Sequence, residues 1–149
     1  MRVLVTGGTG YIGSHTAVEL LNQGHEVVIV DNLYNSNIHV LDRIERLCHQ
    51  RPKFYEVDIL DKEKLRTVFK ENEFDAVIHF AGYKAVGESV SMPITYYQNN
   101  IAGSLNLYEL MNEYGVYNIV FSSSATVYGD NFEVPFKEEY GLGDTTNPY

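Results

Sequence analysis

The stretch Met1-Arg2-Val3-Leu4-Val5-Thr6-Gly7-Gly8-Thr9-Gly10-Tyr11-Ile12-Gly13 decides the fold of this chain. An apolar strand leads into a turn with glycines at positions 7, 10 and 13, and an amphipathic helix follows to Asn22. A second apolar strand over residues 27–30 ends at the acid Asp31. This order is typical of a dinucleotide-binding βαβ unit. Its glycines let the chain turn sharply, approach a pyrophosphate and pack the helix close to the sheet.

Asp31 indicates which dinucleotide the unit binds. At the end of the second strand its carboxylate would lie by the adenosine ribose, where it accepts hydrogen bonds from two hydroxyls and repels a 2′-phosphate. Residues 32–37 contain no arginine or lysine that would balance such a phosphate. A charged hydrogen bond is worth roughly 1.5–3 kcal/mol, which is enough to decide between the two cofactors. We therefore expect NAD rather than NADP. The alternative is that Asp31 only caps the following helix.

Size, charge and composition narrow the class of protein. The 149 residues suffice for one domain with a real core, and the formal net charge of −9 argues against nucleic acid and anionic membrane as partners. No apolar run has transmembrane length and no signal-peptide pattern is present, so we expect a cytoplasmic location. The five histidines are scattered, so no metal site is predicted. The lone Cys48 excludes an internal disulfide and is expected to be a buried structural thiol.

Strand and helix patterns alternate along the chain, which predicts a parallel sheet covered on both faces. We expect helices over about residues 11–22 and 38–49, a third with Asp61 as its N-cap, and a long one from Pro93 to about residue 113; further strands are expected over 54–57, 74–80 and 117–122. Residues 83–92 and the part after Ser124 are expected to be irregular. The predicted class is α/β, a doubly wound Rossmann sheet with strand order 3-2-1-4-5. Ligands should then lie across the carboxyl ends of strands 1 and 4.

Longer stretches give the chain a more specific resemblance. They are residues 3–15, 31–33, 77–82, 84–89 (Lys-Ala-Val-Gly-Glu-Ser), 121–130 (Phe-Ser-Ser-Ser-Ala-Thr-Val-Tyr-Gly-Asp) and 147–149 (Asn-Pro-Tyr). In these stretches the chain resembles the N-terminal part of the UDP-glucose 4-epimerases, a family of extended short-chain dehydrogenases/reductases. The glycine motif is common to many proteins, whereas the runs 84–89 and 122–130 are far more specific.

The resemblance implies which residues of this chain are catalytic, which contact the substrate and which bind NAD. The implied catalytic residues are Ser124 and Tyr149, and these two would also contact the substrate together with Lys84, Ala125 and Thr126. The implied NAD-binding residues are Gly7, Gly10, Tyr11, Ile12, Gly13, Asp31, Asn32, Asn35, Ser36, Asp58, Ile59, Phe80, Ala81, Gly82, Lys84, Asn99 and Ser122. Simpler interpretations stay open for three of them: Lys84 as a solvated lysine, Asn99 as a cap inside its helix, and Ser124 as a turn serine.

The resemblance also implies a reaction, the NAD-dependent epimerisation of UDP-galactose to UDP-glucose at sugar C4 through a 4-keto intermediate. Tyr149 would take the proton of the C4 hydroxyl, and Ser124 would hydrogen-bond the same oxygen. Other nucleotide-sugar 4-epimerases and dehydratases of the superfamily are alternatives. Dehydratases need an additional acid and base beside the catalytic serine, whereas Ala125 and Thr126 supply no carboxylate. A non-catalytic NAD-binding module is the alternative from another class.

Members of this family are more than twice as long, and they carry a lysine four residues after the catalytic tyrosine. We therefore expect residues 1–149 to be an incomplete NAD-binding Rossmann domain that lacks the substrate-binding domain and has little or no epimerase activity alone. The resemblance further implies a homodimer of the full-length protein, formed in part by the long helix from Pro93. We expect Tyr96, Tyr97 and nearby apolar side chains on this helix to be exposed and to cause weak self-association.

Overall fold

A computed structural model describes residues 1–130 and 133–149. Its strands are β1 (Arg2–Thr6), β2 (Glu26–Asp31), β3 (Lys53–Glu56), β4 (Ala76–His79) and β5 (Ile119–Phe121). All pairings between them are parallel, and they form one 5-stranded sheet in the order β3-β2-β1-β4-β5. The predicted doubly wound class and the strand order are confirmed.

In the described residues six α-helices accompany the strands, and the first three begin and end close to the predicted positions. The six helices are α1 (Tyr11–Asn22), α2 (Val40–Cys48), α3 (Lys62–Glu71), α4 (Val86–Ser91), α5 (Pro93–Tyr97) and α6 (Ser104–Glu113). Asp61 is the N-cap of α3, as predicted, because its carboxylate accepts a hydrogen bond from the backbone N–H of Lys64 at 3.1 Å. In the described residues no helix has the length and apolar character needed to cross a membrane.

The core lies on both faces of the sheet. Alternate residues of β1 and β2 point to opposite sides, and both sides are buried, as expected for a parallel sheet with helices on both faces. The face toward α3 and α6 is formed by Leu4, Val28, Val30, Val77, Leu65, Val68, Phe69, Leu107 and Leu110. The face toward α1 and α2 is formed by Val3, Val5, Val27, Ile29, Ala17, Leu21, Leu41 and Ile44.

The register brings the carboxyl ends of three strands to one edge. Thr6, the last residue of β1, pairs with Val30 of β2 on one side and with His79 of β4 on the other. The glycine turn, Asp31 and residues 80–84 therefore leave the sheet side by side. This edge is where a ligand is expected in a doubly wound fold.

The long helix from Pro93 differs from the prediction in its interior. Pro93 does open it, but a π-helical segment, Gln98–Gly103, separates α5 from α6. The expectation that residues 83–92 are irregular is wrong, since they contain α4. This helix escaped prediction because it has only 6 residues, too few for a clear pattern, and its two valines, Val86 and Val90, are exposed and do not form a core face.

Two expectations about burial are also corrected. Tyr96 was expected to be exposed, but it is only 1% exposed and its hydroxyl donates a hydrogen bond to the Glu88 carboxylate at 2.6 Å. Its ring packs beneath α4, which the sequence did not reveal. Tyr97 is exposed, as expected. Cys48 is half-buried rather than buried, with its thiol 3.7 Å from the Val18 carbonyl oxygen.

Candidate nucleotide-binding site

The turn between β1 and α1 requires glycine at two positions. Gly7 has a φ of +68°, and a Cβ built on it would lie 2.8 Å from the Ala81 nitrogen. A Cβ on Gly13 would lie 2.3 Å from the Gly7 carbonyl oxygen. A side chain at either position would push the turn away from its neighbours. The two glycines thus place the start of α1 directly against the carboxyl end of β1.

The N-terminus of α1 can bind an anion. Gly10 occupies the cap position, where it supplies no capping side chain, and the first turn contains no acidic residue. The first backbone N–H groups of a helix have no acceptor within the helix, and the helix dipole favours negative charge there. Tyr11 and Ile12 flank this end and are exposed at its surface. The geometry fits a pyrophosphate.

Asp31 is held by the protein around it. One carboxylate oxygen accepts a hydrogen bond from the Thr9 backbone N–H at 3.1 Å. The other accepts from the Leu33 N–H at 2.9 Å and from the Ser36 hydroxyl at 3.0 Å. Helix α2 begins only at Val40 and has a different cap residue, so the interpretation of Asp31 as a cap of that helix is wrong. The acid instead ties the glycine turn to the loop after β2, and it lines the cleft described next.

A cleft of about 360 Å³ opens in front of β1, β2 and β4. Most of the residues that the sequence assigned to NAD line it: Gly7, Gly10, Tyr11, Ile12, Gly13, Asp31, Asn32, Asn35, Ile59, Phe80, Ala81, Gly82, Lys84 and Asn99. Ser36 and Asp58 lie behind this lining. Ser36 bonds Asp31, and the Asp58 carboxylate accepts a hydrogen bond from the Asn32 amide at 2.9 Å. Ser122 lies in a neighbouring pocket.

The π-helical segment holds one wall of the cleft. Asn99 is buried and donates to the Ala81 carbonyl oxygen at 3.4 Å and to the Asn100 amide oxygen at 2.9 Å. Asn100 accepts from the Tyr83 N–H at 2.8 Å and donates to the Tyr83 carbonyl oxygen at 3.0 Å. Two successive asparagines therefore fix residues 81–83. Such π segments are frequent at functional sites.

A second pocket, of about 230 Å³, adjoins the cleft and contains the predicted catalytic pair. It is lined by Ser124 and Tyr149 together with Ser122, Thr126 and Lys84. Lys84, which lines both pockets, donates a hydrogen bond to the Ser122 hydroxyl at 3.2 Å. Ala125 is exposed and does not line the pocket, so the structure does not bring it together with the other predicted substrate contacts.

The Ser124 side chain caps a short 3₁₀ helix, Ala125–Tyr128, as the turn-serine interpretation expects, and among the described residues its hydroxyl proton has no acceptor in that contact. Its oxygen accepts hydrogen bonds from the Thr126 backbone N–H at 3.2 Å and from the Thr126 hydroxyl at 3.0 Å. Both are bonds to the serine oxygen, so the serine O–H is left to donate outward. A serine held in this way is suited to donating a hydrogen bond to a substrate oxygen.

A buried histidine in the lining of the second pocket, His79, was not predicted from the sequence. His79 Nδ1 lies 2.6 Å from the Thr6 hydroxyl, and Nε2 lies 2.8 Å from the Ser104 hydroxyl. Because Ser104 donates its own proton to the Asn100 carbonyl oxygen at 2.7 Å, it accepts from Nε2–H, which leaves Nδ1 as an acceptor. Burial, with Lys84 nearby, lowers the pKa of His79 to about 4. The imidazole is therefore neutral. Its two hydrogen bonds join β4, which carries His79, to β1 through Thr6 and to the start of α6 through Ser104.

Aromatic residues of the cleft were missed as well. Tyr34, Tyr83 and Tyr96 line it beside Glu88. Tyr34 and Tyr83 lie shortly after the ends of β2 and β4, and that position was the available signal, because loops at these strand ends form the site of a doubly wound fold.

A glycine-rich turn, a buried acid on the next strand and a cleft across the strand ends define a dinucleotide-binding α/β protein. A family model described as the NAD dependent epimerase/dehydratase family matches residues 3–149, and the chain belongs to this family.

Proteins similar to this chain include several UDP-glucose 4-epimerases. The enzyme of Neisseria meningitidis serogroup A is 60% identical over 148 residues, which are 99% of this chain and 44% of the relative. The enzyme of Bacillus subtilis is 57% identical over 149 residues, which are 100% of this chain and 44% of the relative. The UDP-glucose 4-epimerase from Bifidobacterium longum, solved in complex with NAD+ and UDP, is 51% identical with a TM-score of 0.98, over 100% of this chain and 44% of that one. The chain thus spans less than half the length of these relatives.

Proposed function

We propose that this chain is the NAD-binding part of a UDP-glucose 4-epimerase, which converts UDP-galactose to UDP-glucose at sugar C4 through a 4-keto intermediate. The observation that carries the proposal is that two pockets lie side by side and share part of their lining. The cleft at the glycine turn and the pocket with Ser124 and Tyr149 adjoin each other, and Lys84 lines both. A sugar in the second pocket would lie next to a nicotinamide at the end of the first. The named relatives support the substrate assignment.

The residues of the cleft fit NAD. The start of α1 would hold the pyrophosphate, Asp31 the adenosine ribose, and Asp58 with Ile59 the border of the adenine. Residues 80–84 and Asn99 would contact the ribose and nicotinamide half. The bound cofactor would supply reversible hydride exchange with sugar C4.

The catalytic work of the chain itself is proton transfer and orientation. Tyr149 would remove the proton of the C4 hydroxyl as the alcohol is oxidised to the ketone, and it would return the proton when the ketone is reduced. Ser124, whose O–H is free to donate, would hydrogen-bond the same oxygen and help carry the proton to Tyr149. In the described residues the lining of this pocket contains no Asp or Glu, which disfavours a dehydratase.

The activity would belong to a longer protein, since the relatives extend well beyond the matched part. Their additional length would supply the rest of the sugar site, a substrate-binding domain and the lysine of the Tyr-x-x-x-Lys motif. Residues 1–149 alone should therefore turn over UDP-galactose far more slowly than the full-length protein. Equal rates would contradict this proposal.

The catalytic assignment is tested by substitution in the full-length protein. Ser124→Ala and Tyr149→Phe should each lower turnover of UDP-galactose by roughly 10²- to 10⁴-fold, the usual contribution of acid–base catalysis. Bound NAD should be retained in both. Ser91→Ala, at an exposed serine outside both pockets, is the matched control. Wild-type turnover by either catalytic variant would contradict the assignment, and parallel assays with N-acetylated UDP-sugars would distinguish the related 4-epimerases.

A further inference from the structure

Two tyrosine rings meet across the mouth of the cleft. Tyr34 follows β2 and Tyr83 follows β4, so the two side chains come from opposite walls. Their ring centroids are 5.1 Å apart, and both residues line the cleft. We propose that this pair, the tyrosine bridge, retains the bound dinucleotide by closing over it between its adenosine and nicotinamide ends. The ligand named here, NAD, rests on the proposed function.

Tyr83 is the fixed side of the bridge. Its backbone N–H and carbonyl oxygen are both bound by the Asn100 side chain. Its ring meets the Tyr96 ring edge-on, with centroids 5.5 Å apart. Tyr96 is itself buried, and its hydroxyl donates to Glu88 and accepts from the Ala85 N–H at 3.1 Å. The backbone and the ring of Tyr83 are therefore both held in position by neighbouring residues.

Tyr34 is the exposed side of the bridge. It is 61% exposed, and its backbone N–H donates to the Asn32 amide oxygen at 3.1 Å. The preceding residue, Leu33, has a φ of 57°, in the left-handed region that residues other than glycine rarely adopt. Such backbone conformations cluster at ligand clamps and switch regions. The ring contact with Tyr83, together with the side-chain contact between Tyr83 and Asn32, joins this exposed loop to the opposite wall.

The position of the bridge determines what it covers. A dinucleotide with its pyrophosphate at the start of α1 and its ribose at Asp31 has to lie between the two walls. Tyr34 follows Asp31 on the adenosine side, and Tyr83 belongs to residues 80–84 on the nicotinamide side. The bridge therefore crosses the middle of the dinucleotide and not the pocket with Ser124, which neither tyrosine lines. Closing the bridge should slow cofactor dissociation and leave the sugar pocket open.

The dissociation rate constant of NAD tests the bridge. It can be measured by rapid displacement from the purified full-length protein as wild type, Tyr34→Ala, Tyr83→Ala and the double variant. Each single variant should release NAD about three- to tenfold faster, the range expected from the energy of one aromatic pair. The double variant should be no faster than the faster single one, because both substitutions remove the same contact. Tyr34→Phe keeps the ring and should release NAD at the wild-type rate.

Tyr117→Ala is the matched control, since Tyr117 is 76% exposed and does not line the cleft. Wild-type dissociation from the Tyr34→Ala variant would overturn the bridge while leaving the proposed function intact, as would effects that multiply in the double variant. A wild-type chain that binds no NAD would overturn the proposed function and the role of the bridge with it. Tyr34→Ala keeps the test decisive even if Tyr83→Ala fails to fold, because Tyr34 contributes little buried surface.

Discussion

The Asp31 carboxylate accepts a hydrogen bond from the backbone N–H of Thr9 at 3.1 Å, so the acid that ends β2 is tied to the glycine turn that follows β1. The same carboxylate binds Leu33 and Ser36 on its other side. It therefore holds the turn and the loop in position, in addition to its proposed contact with the ribose. Asp31, which is proposed to bind the ribose of NAD, thus also accepts hydrogen bonds that stabilise the fold. Substitution of Asp31 should therefore affect both stability and cofactor binding.

Asp31→Asn should weaken both stability and cofactor selection. The amide group replaces a charged acceptor, so at least one of the N–H or O–H donors around it loses its partner. We expect the free energy of unfolding to fall by about 1–3 kcal/mol in urea denaturation. The preference for NAD over NADP should also decrease in calorimetric titrations, because the charge that repels a 2′-phosphate is gone. Glu73→Gln removes an exposed carboxylate elsewhere and serves as the control. Unchanged stability in the Asp31 variant would show that the hydrogen bonds contribute little.

Gly13→Ala should disrupt the turn, since its Cβ would lie 2.3 Å from the Gly7 carbonyl oxygen. We expect a loss of about 1–3 kcal/mol in the free energy of unfolding, the usual cost of forcing an extra group into a packed site. Gly87→Ala is the matched control, because it lies in α4 and a Cβ there meets nothing within 4 Å. It should be neutral or slightly stabilising. Equal effects of the two substitutions in denaturation curves would contradict the packing argument.

His79 should make stability depend on pH in a defined window. Its pKa is lowered to about 4 in the folded chain by burial, with Lys84 contributing. An unfolded histidine has a pKa near 6.5. Between these values the unfolded chain binds more protons, so the free energy of unfolding falls as the pH falls from about 6.5 to 4. By pH values below 4, the free energy of unfolding has fallen by about 3 kcal/mol, because each unit of pKa difference between the folded and unfolded chain is worth about 1.4 kcal/mol.

Denaturation of wild type and His79→Gln between pH 7 and 4 measures this contribution. The difference between the two proteins isolates His79, because the carboxylates titrate in both. The stability of His79→Gln should decline less steeply across the window, whereas His15→Gln, at an exposed histidine, should follow wild type. Parallel pH profiles for wild type and His79→Gln would rule out a buried neutral imidazole in the folded state.

The helical run from Pro93 presents an apolar surface that should cause self-association. Its exposed side chains are Ile94, Tyr97, Ile101, Leu105 and Tyr108. We expect purified residues 1–149 to associate weakly at high concentration in sedimentation experiments, and Leu105→Glu to shift them toward monomer. Leu142→Glu, at a leucine outside this surface that is 84% exposed, should leave association unchanged. A clean monomer at high concentration in wild type would count against this prediction, and with it against the proposed homodimer of the full-length protein.

Local sequence patterns were sufficient for the sheet and for the edge at which the cleft lies, whereas most of the individual cleft residues followed from the family resemblance. The apolar runs, the spaced glycines and Asp31 determine the βαβ unit, and the register then brings the strand ends together. The features that were missed depend on contacts between distant residues. Tyr96 could not be placed without α4, a helix of 6 residues whose two valines are exposed and which is too short to be recognised from its pattern. Nothing local indicates the π segment at Asn99 and Asn100, which is recognised by its bonds to residues 81–83. The contact of Tyr34 with Tyr83 likewise exists only in the folded chain.

Calorimetric titration of the purified chain with NAD and with NADP tests the central claim most directly. The cleft at the carboxyl ends of β1, β2 and β4 should bind NAD with micromolar affinity, and Asp31 should make NADP binding much weaker. Binding of neither cofactor, or equal binding of both, would contradict the assignment of this cleft as an NAD site selected by Asp31.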